Sequence, residues 1–169
     1  MPASKFTPSQ AEELAASFAR AGVDYLFIGK SGAILLGYPD TTQDVDVFLP
    51  RSAENAARVL QALAALGFEL DPALTVSILA GSEIVLMKQG PFALDLIHAP
   101  DGIESFEAAK SRSVLAGGRF PVASLDDIIA SKRATGREKD VSDLRRLEQF
   151  RGEYLRRRNE GRAEDRANT

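Results

Sequence analysis

Asp44 and Asp46 stand two residues apart in the run Asp44-Val45-Asp46-Val47-Phe48-Leu49. A period of two places both carboxylates on one face of a strand and turns Val45, Val47 and Leu49 to the other, toward a core. Carboxylates held that close repel each other unless a cation lies between them, and such an oxygen site suits Mg²⁺, which keeps waters or substrate phosphates in its remaining positions. A third acid, Asp95, lies inside the apolar run Leu94-Asp95-Leu96-Ile97, where an unpaired charge is costly. Taken singly, each acid has an ordinary alternative: Asp44 as a turn residue, Asp46 facing solvent at a sheet edge, Asp95 paired with a Lys or Arg. Upstream, Ile28-Gly29-Lys30-Ser31-Gly32 reads as a strand passing through a glycine turn into a helix. The backbone amides of such a turn form an anion site for phosphates. Gly29-Lys30-Ser31 also matches the end of a P-loop, but Asp24 stands where that motif needs glycine, and Tyr25 to Ile28 read as strand where it needs a flexible loop.

The elements that must position these residues follow from caps and periodicity. Thr7-Pro8-Ser9-Gln10 is a capping box with proline at the first helical position, followed by Ala11, Leu14, Ala15 and Phe18 at helical spacing and Gly22 as the stop. Val23 to Ile28 reads as a buried strand, Lys30 to Leu36 as a short helix stopped by Gly37-Tyr38-Pro39, and Asp44 to Leu49 as a second strand. Ser52 caps a third helix with Val59, Leu60, Leu63 and Leu66 on one side, closed by Gly67. Glu83–Lys88 and Phe92–His98 form a hairpin around Gln89-Gly90-Pro91, while Leu74 to Leu79 suits strand or helix equally. A short helix over Ser105–Lys110, a short strand over Arg119–Val122, a helix capped by Ser124 and broken at Gly136, and a last helix from Asp140 complete the chain. That last helix buries Val141, Leu144, Leu147 and Tyr154. The expected fold class is α/β (α+β), a small mixed β-sheet flanked by helices, in one domain over 1–158 with a disordered polar tail over 159–169.

Composition narrows the function. The 169 residues include no cysteine and one histidine, which excludes a disulfide scaffold, a thiolate metal site and a histidine-based metal site. His98 is expected as a hydrogen-bonded strand-end residue. No stretch has the roughly 18 apolar residues that span a bilayer, and Met1 to Phe6 lack a signal peptide's apolar region, so a cytoplasmic protein away from membranes is expected. The formal charge of -3 hides an acidic body, -7 over residues 1–131, and a basic segment, +5 over residues 132–162. The acidic part suits cations and the basic part suits a polyanion, although a solvated Arg-rich helix, including Arg156-Arg157-Arg158, has the same composition.

In these segments the chain resembles the DNA polymerase β-type nucleotidyltransferase superfamily, and within it the small bacterial proteins related to abortive-infection and toxin–antitoxin nucleotidyltransferases. Their pattern of an apolar strand, Gly-Gly or Gly-Ser, a short helix, Gly-x-x-Arg-x-Thr-x-Asp-x-Asp and a later strand Asp is matched by Ile28-Gly29, Gly37 to Asp46, and Asp95. A second signature, a helix Lys followed by Gly/Ala-Arg-x-Lys-Asp-x-x-Asp-Leu, is matched by Lys132 and Gly136 to Leu144. The resemblance implies a nucleotidyltransferase fold and Mg²⁺-dependent transfer of a nucleoside monophosphate from an NTP such as ATP to an acceptor hydroxyl. It makes Asp44, Asp46 and Asp95 catalytic and ligands to two Mg²⁺ ions, with Asp95 also activating the acceptor. It places Gly29, Lys30, Ser31, Thr42, Lys132 and Arg137 at the nucleotide. Relatives act on RNA ends, protein side chains or antibiotics, and the basic segment favours tRNA or another polyanion; a cognate antitoxin or partner protein is a further expectation. Two positions depart from the pattern: Lys30 replaces the second Gly or Ser, and Asp40 replaces the Arg. Lys30 either offers charge to a triphosphate or closes the turn against one, and Asp40 puts a like charge beside it. A non-catalytic binding member of the same fold is the alternative these two residues motivate, and an antibiotic-modifying enzyme is a third.

Overall fold

The computed structural model describes residues 5–169; the first four residues, with the expected start of the domain and of the leaderless N-terminus, lie outside the described residues, as does the side chain of Lys139. Helix α1 (Pro8–Ala21) starts on the expected capping box: the Thr7 hydroxyl accepts from the Gln10 amide and the Gln10 side chain accepts from the Thr7 amide at 3.2 Å. Strand β1 (Leu26–Ile28) follows, then α2 (Gly29–Leu35), β2 (Asp44–Phe48), and α3 (Ala53–Leu66) capped by Ser52. The segment that suited strand or helix is helix α4 (Pro72–Ala80). Asp71 caps it by accepting from the Leu74 amide at 2.8 Å, and Pro72 presets its first turn. The expected hairpin is β3 (Ile84–Met87) and β4 (Ala93–Ile97). Then come α5 (Phe106–Arg112), β5 (Val114–Ala116), β6 (Phe120–Val122), α6 (Leu125–Thr135) and α7 (Glu138–Ala167).

The six strands form one mixed sheet in the order β3-β4-β2-β1-β6-β5. Central β2 runs antiparallel to β1 and parallel to β4, and both sheet edges are closed by antiparallel hairpins. Strand β5 was not expected from the sequence, because three residues before the Gly117-Gly118 turn carry no usable alternation. Helix α7 also runs beyond Arg158, to Ala167, where polar composition suggested a frayed tail. Its last turns are rich in Arg, Glu and Ala, which favour helix without any buried face.

Val45 and Val47 of β2 lie beside Leu94 and Leu96 of β4, and all four are buried, as are Leu14 and Phe18 of α1 and Val59 and Leu63 of α3. This core fixes the register, since a slip of one residue would turn the acids inward and the valines out. Asn55 on α3 anchors the approach to β1 with two bonds to the backbone of Asp24, at 2.8 and 3.0 Å.

Candidate active site

Parallel pairing sets Asp46 of β2 directly beside Asp95 of β4, and Asp44 follows two residues earlier on the same face. Strand period had placed Asp44 and Asp46 together and the family resemblance had joined Asp95 to them; the register sets all three on one face. The Asp46 and Asp95 carboxyls act on each other's proton affinity. Burial, then the charges of Asp95 and Asp44, push the Asp46 carboxyl well above the ordinary range, against the opposing pull of Lys132. Burial, with Asp44 adding to it, also raises Asp95, although Asp46 and Lys88 oppose the rise. Burial and mutual repulsion thus favour protonation of this pair relative to separate aspartates. Among the described residues no ion pair reaches Asp44, Asp46 or Asp95. The donor set suits Mg²⁺: carboxylate oxygens on one face, in a repulsion that a divalent charge relieves. Among the described residues no three acidic or histidine side chains already surround a single point, so binding an ion would draw the carboxylates together.

Gly29 ends β1 against this pair. Its φ is +62°, and a Cβ there would lie 2.4 Å from the Asp46 Oδ2. Glycine is required both by the left-handed turn and by the carboxylate that fills the space beside it. Ser31 lies one step further in, without solvent exposure. Its hydroxyl donates to the Ile28 carbonyl and accepts from the Asp46 amide, both at 3.0 Å. Ser31 therefore ties the turn to the backbone of β2 and has no exposed surface.

The two residues that depart from the superfamily pattern are partners. The Lys30 ammonium lies 2.9 Å from Asp40 and 3.4 Å from Asp143 on α7. Asp40 also pairs with Arg146, whose Nε donates to the Tyr38 hydroxyl at 3.1 Å. Lys132 on α6 lies 3.5 Å from Asp140 and 3.6 Å from Asp143, and its field still reaches Asp46. Burial works to lower the Lys30 pKa, but Asp40 and Asp143 outweigh it and raise it; burial works to raise Asp40, but Lys30 and the Thr41 amide outweigh it and lower it. The sequence singled out Lys30 and Lys132 as phosphate contacts but missed that Asp140 and Asp143 hold them, and that Arg146, bonded to Tyr38, holds Asp40. The spacing of Asp140 and Asp143, three apart on one helix face, was the available signal. Thr42 is half-buried in the loop before β2, with its carbonyl accepting from Phe6. Arg137 is exposed at the N-cap of α7, and among the described residues it makes no ion pair. His98 meets its expectation, Nδ1 donating to the Ser82 carbonyl at 2.7 Å.

No protein-family model matches the chain, and no curated protein matches it. Among solved structures it is similar to a Thermotoga maritima protein, TM1012, described as a "putative nucleotidyltransferase", with a TM-score of 0.53 and 15% identity over 84% of this chain and 92% of that one. The chain thus has the fold of that nucleotidyltransferase-type structure; a mixed sheet flanked by helices is what the sequence led one to expect, and the sheet has six strands.

Proposed function

We propose that the protein is a nucleotidyltransferase that uses Mg²⁺ to move a nucleoside monophosphate from an NTP to an acceptor hydroxyl. The observation that carries this reading is the alignment of Asp46 with Asp95 on paired parallel strands, with Asp44 on the same face and, among the described residues, no ion pair to any of the three. Asp44, Asp46 and Asp95 would hold the ions, which when bound neutralise triphosphate charge and polarise the α-phosphate. The remaining chemistry belongs to the chain. Gly29 lets the turn approach the carboxylates, and Ser31 fixes the Asp46 backbone. Asp95, with its raised pKa, can take the proton of an attacking hydroxyl. Arg137 and Lys132 meet phosphate charge from the α6–α7 side.

The test is incubation with Mg²⁺ and each α-labelled NTP, first with total RNA and then with protein lysate. Label is expected to enter one fraction, and Asp46→Asn or Asp95→Asn to lower incorporation by at least about 100-fold, the scale of losing several kcal/mol of charge stabilisation. Incorporation that survives both substitutions rejects the assignment. A second reading, a binding member without turnover, is favoured by the neutralisation of Lys30 by Asp40 and Asp143. It predicts no incorporation with any NTP. A toxin–antitoxin partnership is a narrower form of the first reading, separated by which fraction takes the label, whereas an antibiotic acceptor, present in neither fraction, is tested by resistance on expression in a susceptible host.

A further inference from the structure

Past the other end of the β2–β4 pair lies a cavity of about 180 Å³. The two strands pair as far as Phe48 and Ile97, and the Leu49 amide adds a last bond to the Ile97 carbonyl. Beyond that bond Arg51 leads into α3, and His98 follows β4. Both line the cavity, with Ser52, Ala53 and the end of α4. Asp46 is five residues from Arg51, about 16 Å of extended chain, and none of the acids or lysines of the candidate active site lines this cavity.

The turn between α4 and β3 holds both side chains. Its Gly81 carbonyl accepts from the Arg51 Nε at 2.9 Å, and its Ser82 carbonyl accepts from the His98 Nδ1 at 2.7 Å. Glycine makes room for the first of these: a Cβ at Gly81 would lie 3.0 Å from the Arg51 Cγ. Among the described residues the Arg51 guanidinium makes no ion pair. At the start of α3 the Ser52 hydroxyl accepts from the Asn55 amide at 3.2 Å, which leaves the Ala53 and Glu54 amides as the unpaired donors of the first turn. Glu54 pairs with Arg58 at 2.6 Å, and no carboxylate lines the cavity. A guanidinium and a helix N-terminus thus favour negative charge here.

His98 adds a group of the opposite kind. It is only 7% exposed. A carbonyl can only accept, so Nδ1 carries the ring proton. Burial lowers the imidazole pKa; the Ser82 carbonyl opposes this and the Arg51 charge adds to it. The neutral ring presents a bare lone pair at Nε2. Among the described residues Nε2 has no partner, and no side-chain nitrogen sealed from solvent is left unpaired, so Nε2 opens on the cavity. An anion with no proton would set its own lone pairs against that one. The ligand that suits all three groups is an anion that also donates a hydrogen bond.

We propose that this cavity is a binding site for hydrogen phosphate, whose oxygens accept from Arg51 and the first-turn amides of α3 and whose P–OH donates to the His98 Nε2. Among tetrahedral dianions the proton decides. Sulfate has none, and a phosphate monoester loses its last near pH ~6, whereas hydrogen phosphate keeps one throughout the neutral range. The cavity has the volume of about six waters, room for an ion of five heavy atoms. It is smaller than the ~300 Å³ at which pockets for larger organic ligands begin. The site is independent of the transferase reading and survives its failure.

Inorganic phosphate, sulfate and methyl phosphate are all dianions at about pH 8, and only the first carries a proton. Calorimetry on the full chain with each of them therefore separates charge from the hydrogen bond, and EDTA in the buffer keeps Mg²⁺ from the acids. Phosphate is expected to bind at least about tenfold more tightly than the other two, the worth of one hydrogen bond to a buried acceptor. His98 is the only histidine, so its ring signals report on the site alone, and in NMR they are expected to shift saturably with millimolar phosphate. Arg51→Met keeps the stem over Gly81 and removes the charge; phosphate binding is expected to weaken at least about tenfold. His98→Asn keeps a donor for the Ser82 carbonyl and removes the acceptor, and is expected to bring phosphate down to the affinity of sulfate. The comparison of the three ions needs no variant and decides the matter even if His98→Asn fails to fold. Sulfate or methyl phosphate that binds as tightly as phosphate overturns the proposal, as do ring signals that stay in place with millimolar phosphate. Phosphate binding that is indifferent to Arg51→Met places the ion elsewhere and also overturns it.

Discussion

Ser31→Ala removes one oxygen from a fully buried site and should show whether that hydroxyl serves the protein or the nucleotide. In the structure it donates to the Ile28 carbonyl and accepts from the Asp46 amide. Alanine leaves both groups buried without these partners. A stranded buried polar group costs about 1–3 kcal/mol, and the carbonyl, which can take another donor, costs the lower end. Together they give a loss of about 2–4 kcal/mol, or about 5–15 °C in Tm for a chain of this length. Urea unfolding should show the midpoint falling at constant slope. Because Ser31 has no exposed surface, the KM for NTP should hold while kcat falls, as the Asp46 backbone loses its tether. A loss below about 0.5 kcal/mol, within the range of ordinary surface substitutions, would refute the account of the bonds. A KM that rises about tenfold at constant kcat would show lost ground-state binding and return Ser31 to the nucleotide.

Further predictions concern charge and backbone. Gly29→Ala must strain a backbone at φ +62° and displace the Asp46 carboxylate; it should cost about 1–2 kcal/mol in a thermal melt and weaken Mg²⁺ binding in calorimetry. For Asp46 and Asp95 the folded pKa values are raised, so in EDTA the pair favours folding most at low pH, and that contribution falls as pH rises from the ordinary carboxylate range through the raised values. Asp46→Asn should therefore match or exceed the wild-type Tm at pH 7 in EDTA. Mg²⁺ at ten times its Kd should raise the wild-type Tm, through about 1.4 kcal/mol of binding linkage, and not that of Asp46→Asn. Asp143→Asn removes one of the two carboxylates that hold each of Lys30 and Lys132; NTP affinity by calorimetry should rise about fivefold, the worth of about 1 kcal/mol in all.

The acids on β2 were legible because strand period is a local rule, and their core-facing partners Val45 and Val47 say which way the strand lies. That Asp95 stands beside Asp46 was not legible, since parallel register is set by packing between segments about 50 residues apart. Ser31 misled for the same reason: its letter suits a phosphate turn, but its depth depends on how α2 packs over β1 and β2. Lys30 and Asp40 read as separate departures because nine residues of helix and loop lie between them, and only the fold closes that gap to 2.9 Å. Capped helices, by contrast, were readable almost to the residue, since Thr7, Ser52 and Ser124 act within a single turn.

The pairing of Lys30 with Asp40 changes what the site asks of its ligands. Either charge alone would sit in a niche where each side chain is only about one-fifth exposed; together they compensate. The network then sets three cations, Lys30, Lys132 and Arg146, against three carboxylates, Asp40, Asp140 and Asp143, and presents no net charge to a triphosphate. Asp44, Asp46 and Asp95 add three carboxyl groups beside it, on one face of the paired strands. Without a divalent cation a triphosphate therefore meets repulsion from the acids and little attraction from the lysines. NTP alone should not bind measurably in calorimetry, and affinity should appear only as Mg²⁺ is added. In Asp140→Asn/Asp143→Asn, which leaves the network two positive charges in excess, some binding should persist in EDTA and weaken with added salt. Wild-type NTP binding of equal strength with and without Mg²⁺ would contradict this charge balance and make the lysines, not the aspartates, the seat of recognition.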